Sequence, residues 1–389
     1  MLGMGLLLLA LGYILGLYFL YSPTAGLIIA LMIWAVLNFI ALFQGDNIML
    51  SMAKAKKISR DDSPRLYNIV EEMKIASGLE NMPAIYVIDD PAPNAFATGR
   101  NPEKAAVAVT TGLLQKLNRD ELQGVIGHEI SHVKNRDVLL MTMCSILLGT
   151  IVMLSWYASR MLFFSSMTGG RRRSSSGGGG SAQLIILAVG IVLMILAPIL
   201  AQLIYFTISR KREYLADASS AQYTRYPEGL ASALEKISAS TTQLKAANKA
   251  TAPMYIINPF REKGRAASDL SSTHPPISER IRILRSMAGG ASFADYDNAY
   301  RKTRLTSKGV VSPSALATSG TVAVRDAEPQ RTDESQYKIE QSREISDLLW
   351  RQNNYRTINC ECGTKFRLPP KFKATTVRCP HCGIINKVT

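Results

Sequence analysis

Long apolar stretches without a charged residue alternate with charged segments along this chain. The first 45 residues contain no Asp, Glu, Lys or Arg, and Pro23 divides them into two segments. Two further charge-free apolar runs lie within 138–208, separated by a Gly/Ser/Arg-rich loop over 165–182. A membrane-crossing helix needs roughly 20 apolar residues, so the pattern predicts four transmembrane helices, two within 1–45 and two within 138–208. Buried helices of a soluble protein are the alternative, but four such runs exceed what a domain of this size buries.

The basic residues predict how these helices are oriented. Nine Lys and Arg residues flank the predicted spans on one side, whereas four, Arg160 and 171–173, lie on the other. Cytoplasmic loops carry an excess of Lys and Arg, so the side with nine is predicted to be cytoplasmic. The formal charge of +15 indicates attraction to anionic lipid or nucleic acid without choosing between them. The nine residues are Lys54, Lys56, Lys57, Arg60, Lys134, Arg136, Arg210, Lys211 and Arg212.

Two cytoplasmic segments, 46–137 and 209–290, are predicted to form the two halves of one α+β domain. The first half contains strand candidates at 84–88 and 105–110, followed by a helix that begins near Asp120. The predicted architecture is therefore an α-helical membrane protein with four transmembrane helices and a cytoplasmic α+β domain.

The remainder of the chain differs from this core in composition. Residues 291–345 are predicted to be a flexible linker, because 305–335 is rich in Ser, Thr, Ala and Gly. Residues 346–389 form a separate small module that contains four of the five cysteines. A chain that ends near Gly290 is therefore expected to fold on its own.

The helix near Asp120 contains the sequence His128-Glu129-Ile130-Ser131-His132. Residues four apart share one helix face, and two imidazoles placed so can reach the same metal ion. Glu129 lies beside the first imidazole, where it can contact a water on that metal. Two surface histidines and an unrelated Glu are the alternative, but the chain contains only four histidines. The pattern predicts a catalytic zinc site.

A catalytic zinc needs a third protein ligand, which is expected on another helix. Residues 133–137 contain no further histidine, which leaves a Glu from a second helix as the common choice. Glu213 is the candidate, and Asp217 shares its helix face and could hold a ligand histidine from behind. An ordinary charged helix next to the membrane is the alternative interpretation of Glu213 and Asp217.

The sequence resembles the HtpX family of membrane-embedded zinc metalloproteases, which are related more distantly to the CAAX prenyl proteases. The resemblance covers about residues 1–288 and implies a zincin-like (gluzincin) catalytic domain. It implies zinc ligation by His128, His132 and Glu213, with Glu129 as the catalytic base. It also implies a protease of the bacterial inner membrane that acts from the cytoplasmic side on misfolded or damaged membrane proteins. The matching pieces are 93–99, 107–112, 128–132, 213–217 and 273–276.

Further residues are candidates for the chemistry around the zinc. His274 matches the family's His-Pro-Pro position and is the candidate donor to the oxyanion, with a helix-entry residue as the alternative. Arg280 is a candidate for contact with substrate or with the ligands. The 105–110 strand is predicted to offer an open edge to an extended peptide. The predicted substrate-binding residues are therefore Asn94, Val107, Val109 and Arg280.

The C-terminal module contains two close pairs of cysteines, Cys360 with Cys362 and Cys379 with Cys382. Four thiolates in this pattern predict a zinc ribbon with a second, structural zinc, and His381 is a possible substitute ligand. Between Arg351 and Thr389 there are eight Lys and Arg residues and one acidic residue. The module is therefore basic, and nucleic acid, anionic lipid or a protein are its candidate ligands.

Three functions are compatible with these features. The leading prediction is a zinc endopeptidase of the membrane with polypeptide substrates. A catalytically idle adaptor, tethered to the membrane and binding through its zinc ribbon, is the alternative. A basic membrane regulator that binds DNA is the third, and it depends on the ribbon alone.

Overall fold

The computed structural model describes residues 2–167, 180–245, 255–257, 274–287, 289–317, 319–329 and 334–388. Side chains are described for these residues except in 161–167, in 180–184 and at 186. The loop predicted over 165–182 lies largely outside the described residues, as do parts of the predicted second half of the catalytic domain.

Within the described residues, four helices are long and apolar enough to cross a membrane, which confirms the predicted number of spans. Helix α2 begins at Pro23 with the Ser22 side chain accepting a hydrogen bond from the Ala25 N–H. Helix α7 contains Pro198 and continues well beyond a bilayer's thickness, so its C-terminal part carries polar residues into the catalytic domain. The four helices are α1 (Leu2–Phe19), α2 (Pro23–Met52), α6 (Asp137–Met167) and α7 (Gly180–Thr224).

A four-stranded sheet with the order β1-β2-β4-β3 forms one side of the catalytic domain. Strand β4 pairs in parallel with β2 and antiparallel with β3, so both of its edges are occupied. The prediction that this strand offers an open edge through Val107 and Val109 is therefore wrong, and both side chains are fully buried. The strands are β1 (Lys56–Lys57), β2 (Ala84–Ile88), β3 (Ala95–Thr98) and β4 (Ala106–Thr110).

The His-Glu-x-x-His segment lies on α5, which packs against β3 and β4 of this sheet and against other helices of the domain. Helix α5 begins with a capping box, in which Asn118 and Glu121 each accept a hydrogen bond from the other's backbone N–H. It packs against α3, α7 and α8, and its apolar residues Val125, Ile126 and Ile130 are fully buried in the main core. The helices are α3 (Pro64–Ser77), α4 (Thr111–Lys116), α5 (Arg119–Lys134), α8 (Pro227–Ser238) and α9 (Ile277–Arg285).

The structure differs from the flexible linker predicted over 291–345. This segment contains α10 (Phe293–Arg304), α11 (Pro313–Ala317) and most of α12 (Glu334–Gln352). Tyr296 in α10 and Ile345 and Leu348 in α12 are buried in the same core as α5. The average composition concealed these residues, because Ile345 and Leu348, three positions apart, are enough to give α12 an apolar face.

Polar contacts also attach this segment to the catalytic domain. The Arg325 Nη2 donates to Asp120 Oδ1 at 2.5 Å, and the Glu328 N–H donates to Asp120 Oδ2 at 2.9 Å. The Gln341 side-chain amide donates to the Leu117 carbonyl at 3.1 Å. Helices α10 and α12 and the residues Arg325 and Glu328 are therefore packed onto the domain.

The C-terminal module consists of two small antiparallel hairpins. Each turn contains one cysteine pair and a glycine with positive φ, 84° at Gly363 and 79° at Gly383. Side chains disfavour that conformation, so glycine suits both turns. The strands are β5 (Arg356–Asn359), β6 (Lys365–Leu368), β7 (Thr376–Arg378) and β8 (Ile385–Lys387).

Candidate functional site

Helices α5 and α7 bring His128, His132 and Glu213 to one point. The two Nε2 atoms lie 3.1 Å apart. Glu213 places Oε2 at 3.6 Å from the His128 Nε2 and Oε1 at 3.5 Å from the His132 Nε2. Donors about 2.0–2.1 Å from one tetrahedral zinc lie about 3.3 Å from each other. The spacing of these three side chains therefore suits a zinc ion.

A buried pair of opposite charges stands behind His128. The His128 Nδ1 lies 3.0 Å from Asp217 Oδ1, so the Nδ1–H donates to the carboxylate and leaves the Nε2 lone pair for a metal. Arg280 is fully buried and donates to both Asp217 oxygens, at 2.8 and 2.6 Å. Its Nη1 also lies 3.2 Å from Glu213 Oε2. Arg280 was a candidate for contact with substrate or with the ligands, and the structure shows it in contact with Glu213 and Asp217 of α7.

Asp137 contacts the Nδ1 of His132 as Asp217 contacts the Nδ1 of His128. The sequence did not identify Asp137 as part of the site. Its Oδ2 lies 2.9 Å from the His132 Nδ1, while Arg212 Nε lies 3.1 Å from its Oδ1. A turn at Arg136, whose φ is 53°, separates α5 from α6, and the first residue of α6, Asp137, contacts His132 of α5. Desolvation lowers the pKa of His132, but the hydrogen bonds with Asp137 and Glu213 raise it by more, so the pKa lies well above its ordinary value.

Glu129 is buried beside the three convergent side chains. It accepts a hydrogen bond from the backbone N–H of Ala97 in β3. Its Oε1 is buried and has no hydrogen-bond partner among the described residues. Burial raises the pKa of the Glu129 carboxyl above its usual value. An acceptor held in this way, with one oxygen still open, suits a group that takes up a proton.

A cavity of about 340 Å³ connects this site with the membrane helices. Glu129, His132 and Glu213 are among the residues that line it. The rest of its lining comes chiefly from apolar residues of α2 and α6, both of which belong to candidate spans. Those apolar residues include Leu37, Ile40, Leu42, Ile48, Met49, Leu139, Met141 and Ile146.

His274 lies next to a ligand candidate, whereas the polar atoms of Asn94 are bonded to the protein backbone. His274 is buried with its Nε2 3.8 Å from Glu213 Oε1, and burial lowers the pKa of its imidazole. Asn94 is also buried, but its amide donates to the Ile257 carbonyl at 2.9 Å and its Oδ1 accepts from the Ala95 N–H. Both polar atoms of Asn94 are thus used inside the protein, so the structure does not support its predicted contact with substrate.

The four cysteines of the C-terminal module also converge. The Sγ atoms of Cys360 and Cys382 lie 3.5 Å apart, and those of Cys362 and Cys379 lie 3.7 Å apart. Thiolates about 2.3 Å from one tetrahedral zinc lie about 3.8 Å from each other, so this spacing also suits zinc. His381 is exposed and does not belong to the cluster.

Comparison with known proteins gives matches that agree with one another. The sequence model of peptidase family M48 matches residues 60–288. The chain is 47% identical over 262 residues to the "Protease HtpX homolog" of Dictyoglomus turgidum, covering 67% of this chain and 82% of that protein. It is 46% identical over 288 residues to the "Protease HtpX homolog" of Levilactobacillus brevis, covering 74% of this chain and 95% of that protein.

A solved structure also matches. The crystal structure of S. mikatae Ste24p superposes with a TM-score of 0.41 at 21% sequence identity. The match covers 72% of this chain and 62% of that one.

Proposed function

The chain belongs to peptidase family M48, among the HtpX proteases, and from that premise we propose that this membrane metalloprotease is an endopeptidase for misfolded or damaged membrane proteins. Its active site would face the cytoplasm of a bacterial cell. One observation carries the proposal: His128, His132 and Glu213 converge within the spacing of zinc ligands, and an open oxygen of Glu129 lies beside them.

The residues present fit a catalytic zinc. Two neutral imidazoles and one carboxylate are a common donor set for a catalytic site, and they leave one position open. Zinc bound there would polarise the scissile carbonyl and acidify a water molecule. Asp217 and Asp137 each hold the outer nitrogen of one imidazole, so both rings are oriented with Nε2 towards the shared point.

Glu129 would move the proton during hydrolysis. Its open oxygen accepts a proton from the attacking water and then delivers it to the departing amine. The Ala97 N–H fixes the other oxygen, so the carboxylate is held in place through both transfers. A pKa raised by burial brings the group closer to the range in which it can both take up and release a proton at neutral pH.

His274 is the proposed donor to the oxyanion. Burial lowers the pKa of its imidazole, which favours the neutral form, and a neutral imidazole still carries one N–H. It lies on the Glu213 side of the site, where a substrate carbonyl next to the ligands could receive that N–H. The role of Arg280 is different: between Asp217 and Glu213 it fixes the position of the two carboxylates.

The cavity supports the proposed class of substrate. Much of its apolar lining comes from helices α2 and α6, and residues of the candidate catalytic site line it as well. A chain with exposed apolar residues, as in a misfolded membrane protein, gains free energy by placing them against such a lining. Lys and Arg next to the spans support the cytoplasmic orientation of this site.

The second proposed zinc is structural. Four thiolates that surround one point leave no open position for substrate, which distinguishes this site from the first. A module of this size has little apolar core, so bound metal would supply much of its folding free energy. The purified protein would then bind two zinc ions.

The proposal is tested by proteolysis and metal analysis on the full chain in detergent. Glu129→Gln should keep wild-type zinc content and lower casein cleavage by about 10²–10⁴-fold, because it removes the base alone. Glu213→Ala should lower both. Glu103→Gln, at an exposed glutamate, is the matched control and should change neither. Zinc-loaded wild type that cuts no polypeptide would instead favour the idle adaptor, and full activity in Glu129→Gln would refute the assigned base.

A further inference from the structure

The β7–β8 hairpin presents two cations and a large aliphatic side chain on one exposed face. The strand register pairs Arg378 with Ile385 and Thr376 with Lys387. Cross-strand partners point to the same side of a hairpin, so these four residues share one face. All four are exposed, and 61% of Ile385 is accessible to solvent. We name this surface, formed by Thr376, Arg378, Ile385 and Lys387, the hairpin face.

Charge on the hairpin face is not neutralised within the described part of the chain. Neither Arg378 nor Lys387 forms an ion pair with a carboxylate among the described residues. Between 353 and 388 there are seven Lys and Arg residues and a single acidic residue, Glu361. Four thiolates around a divalent ion would leave the module still positive. Ile385 is the cross-strand partner of Arg378, so an apolar and a cationic side chain are adjacent on this face.

The module is held close to the point where α2 leaves the membrane. Lys56 Nζ donates to the Gln352 carbonyl at 3.2 Å and to Asn353 Oδ1 at 3.0 Å, immediately before the ribbon begins. The first charged residue of the chain is Asp46. Six residues of helix from Asp46 to Met52 rise about 9 Å, and four more residues to Lys56 add at most about 14 Å. The backbone of Lys56, whose side chain is bonded to the start of the ribbon, therefore lies within about 23 Å of the end of the charge-free segment.

We propose that the hairpin face binds the surface of an anionic membrane. Arg378 and Lys387 contact lipid phosphates, and Ile385 enters the boundary between headgroups and acyl chains. Cations beside an aliphatic side chain are the combination by which proteins bind this boundary. Single-stranded nucleic acid would instead favour exposed aromatic rings for base stacking, and the hairpin face carries none. The attachment near α2 places this face within reach of the bilayer.

The test measures hydrogen exchange of residues 376–388 in the full chain embedded in lipid nanodiscs. Discs of phosphatidylcholine alone are compared with discs that also contain phosphatidylglycerol. Exchange should be slower in the anionic discs, and high salt should remove the difference. Each basic residue near an anionic surface contributes about fivefold to binding, so Arg378→Glu with Lys387→Glu should weaken the protected state by at least about 25-fold.

Lys302→Glu with Lys308→Glu is the matched control, because both residues are exposed and lie outside the ribbon. Those changes should leave the protection intact, whereas Ile385→Ser should reduce it. Unchanged zinc content shows that each ribbon variant is folded. If a variant is unfolded, the salt dependence of exchange in the wild type still decides the test. Equal exchange in the two lipids would overturn the proposal. Protection that follows addition of RNA or duplex DNA to neutral discs, without an effect of anionic lipid, would also overturn it.

Discussion

Two truncations should have opposite effects on the catalytic domain. A chain that ends at Asn353 loses the ribbon and keeps α12, so it should fold and cleave casein. A chain that ends at Gly290 also loses α10 and α12, and we expect it to be unfolded or inactive. This expectation reverses the one drawn from composition, because the structure packs both helices onto the core.

The size of the effect follows from the buried side chains that the shorter chain loses. Tyr296, Ile345 and Leu348 are 0%, 3% and 1% exposed. Burial of one large apolar side chain contributes about 1.5–3 kcal/mol, so the three together contribute about 5–9 kcal/mol. Part of that sum is offset because the removed residues no longer lose conformational entropy on folding. Even half of it is comparable to the total stability of many domains, about 5–15 kcal/mol.

A point substitution measures the same contact without shortening the chain. Leu348→Ala should destabilise the protein by about 2–5 kcal/mol, since it removes a fully packed side chain and leaves a cavity. Ile339→Ala is the matched control on the same helix, because 50% of that side chain is exposed. Thermal unfolding in detergent, casein cleavage and zinc content are measured for all four chains. If the chain ending at Gly290 unfolds at the same temperature as the one ending at Asn353 and is as active, α10 and α12 do not support the fold.

The remaining predictions concern the ligands and the topology. Asp137→Asn should lower zinc affinity about 10–100-fold, measured by competition with a chelator, because His132 loses the carboxylate that orients it. Unchanged affinity would show that this contact does not position the ligand. A reporter fused after Thr389 or near Lys57 should be cytoplasmic and one inserted at Gly177 external. The opposite result would place the active site on the other side of the membrane.

Local spacing in the sequence was enough to identify the His-Glu-x-x-His segment. Positions four apart on a helix always share a face, so the neighbourhood of His128 and His132 requires no knowledge of the fold. Two membrane spans separate Glu213 from the His-Glu-x-x-His segment along the chain. Spacing made Glu213 one candidate, and the resemblance to a family identified it as the ligand. Asp137 could not be identified in this way, because its contact with His132 depends on the turn at Arg136. No residue pattern distinguished that turn from a continuous helix.

The errors in the predicted fold have a common physical origin. Whether β4 is an edge or an interior strand depends on strand order, which the apolar pattern of one strand does not encode. The average composition of 291–345 predicts a linker, whereas docking onto the core requires only a few apolar side chains at helical spacing. Ile345 and Leu348 supply them in α12, and Tyr296 supplies one in α10.

The ligand geometry depends on the membrane helices as well as on α5. Asp137 is the first residue of α6, and Arg212 and Glu213 are neighbours on α7. The contact of 3.1 Å between Arg212 and Asp137 therefore joins the two membrane helices at the height of the ligands, and the same carboxylate orients His132. A slip of one helix past the other by one residue, about 1.5 Å, would distort the contact with Arg212 and displace Glu213 together with it. Packing within the bilayer is thus a condition for the convergence of the three side chains.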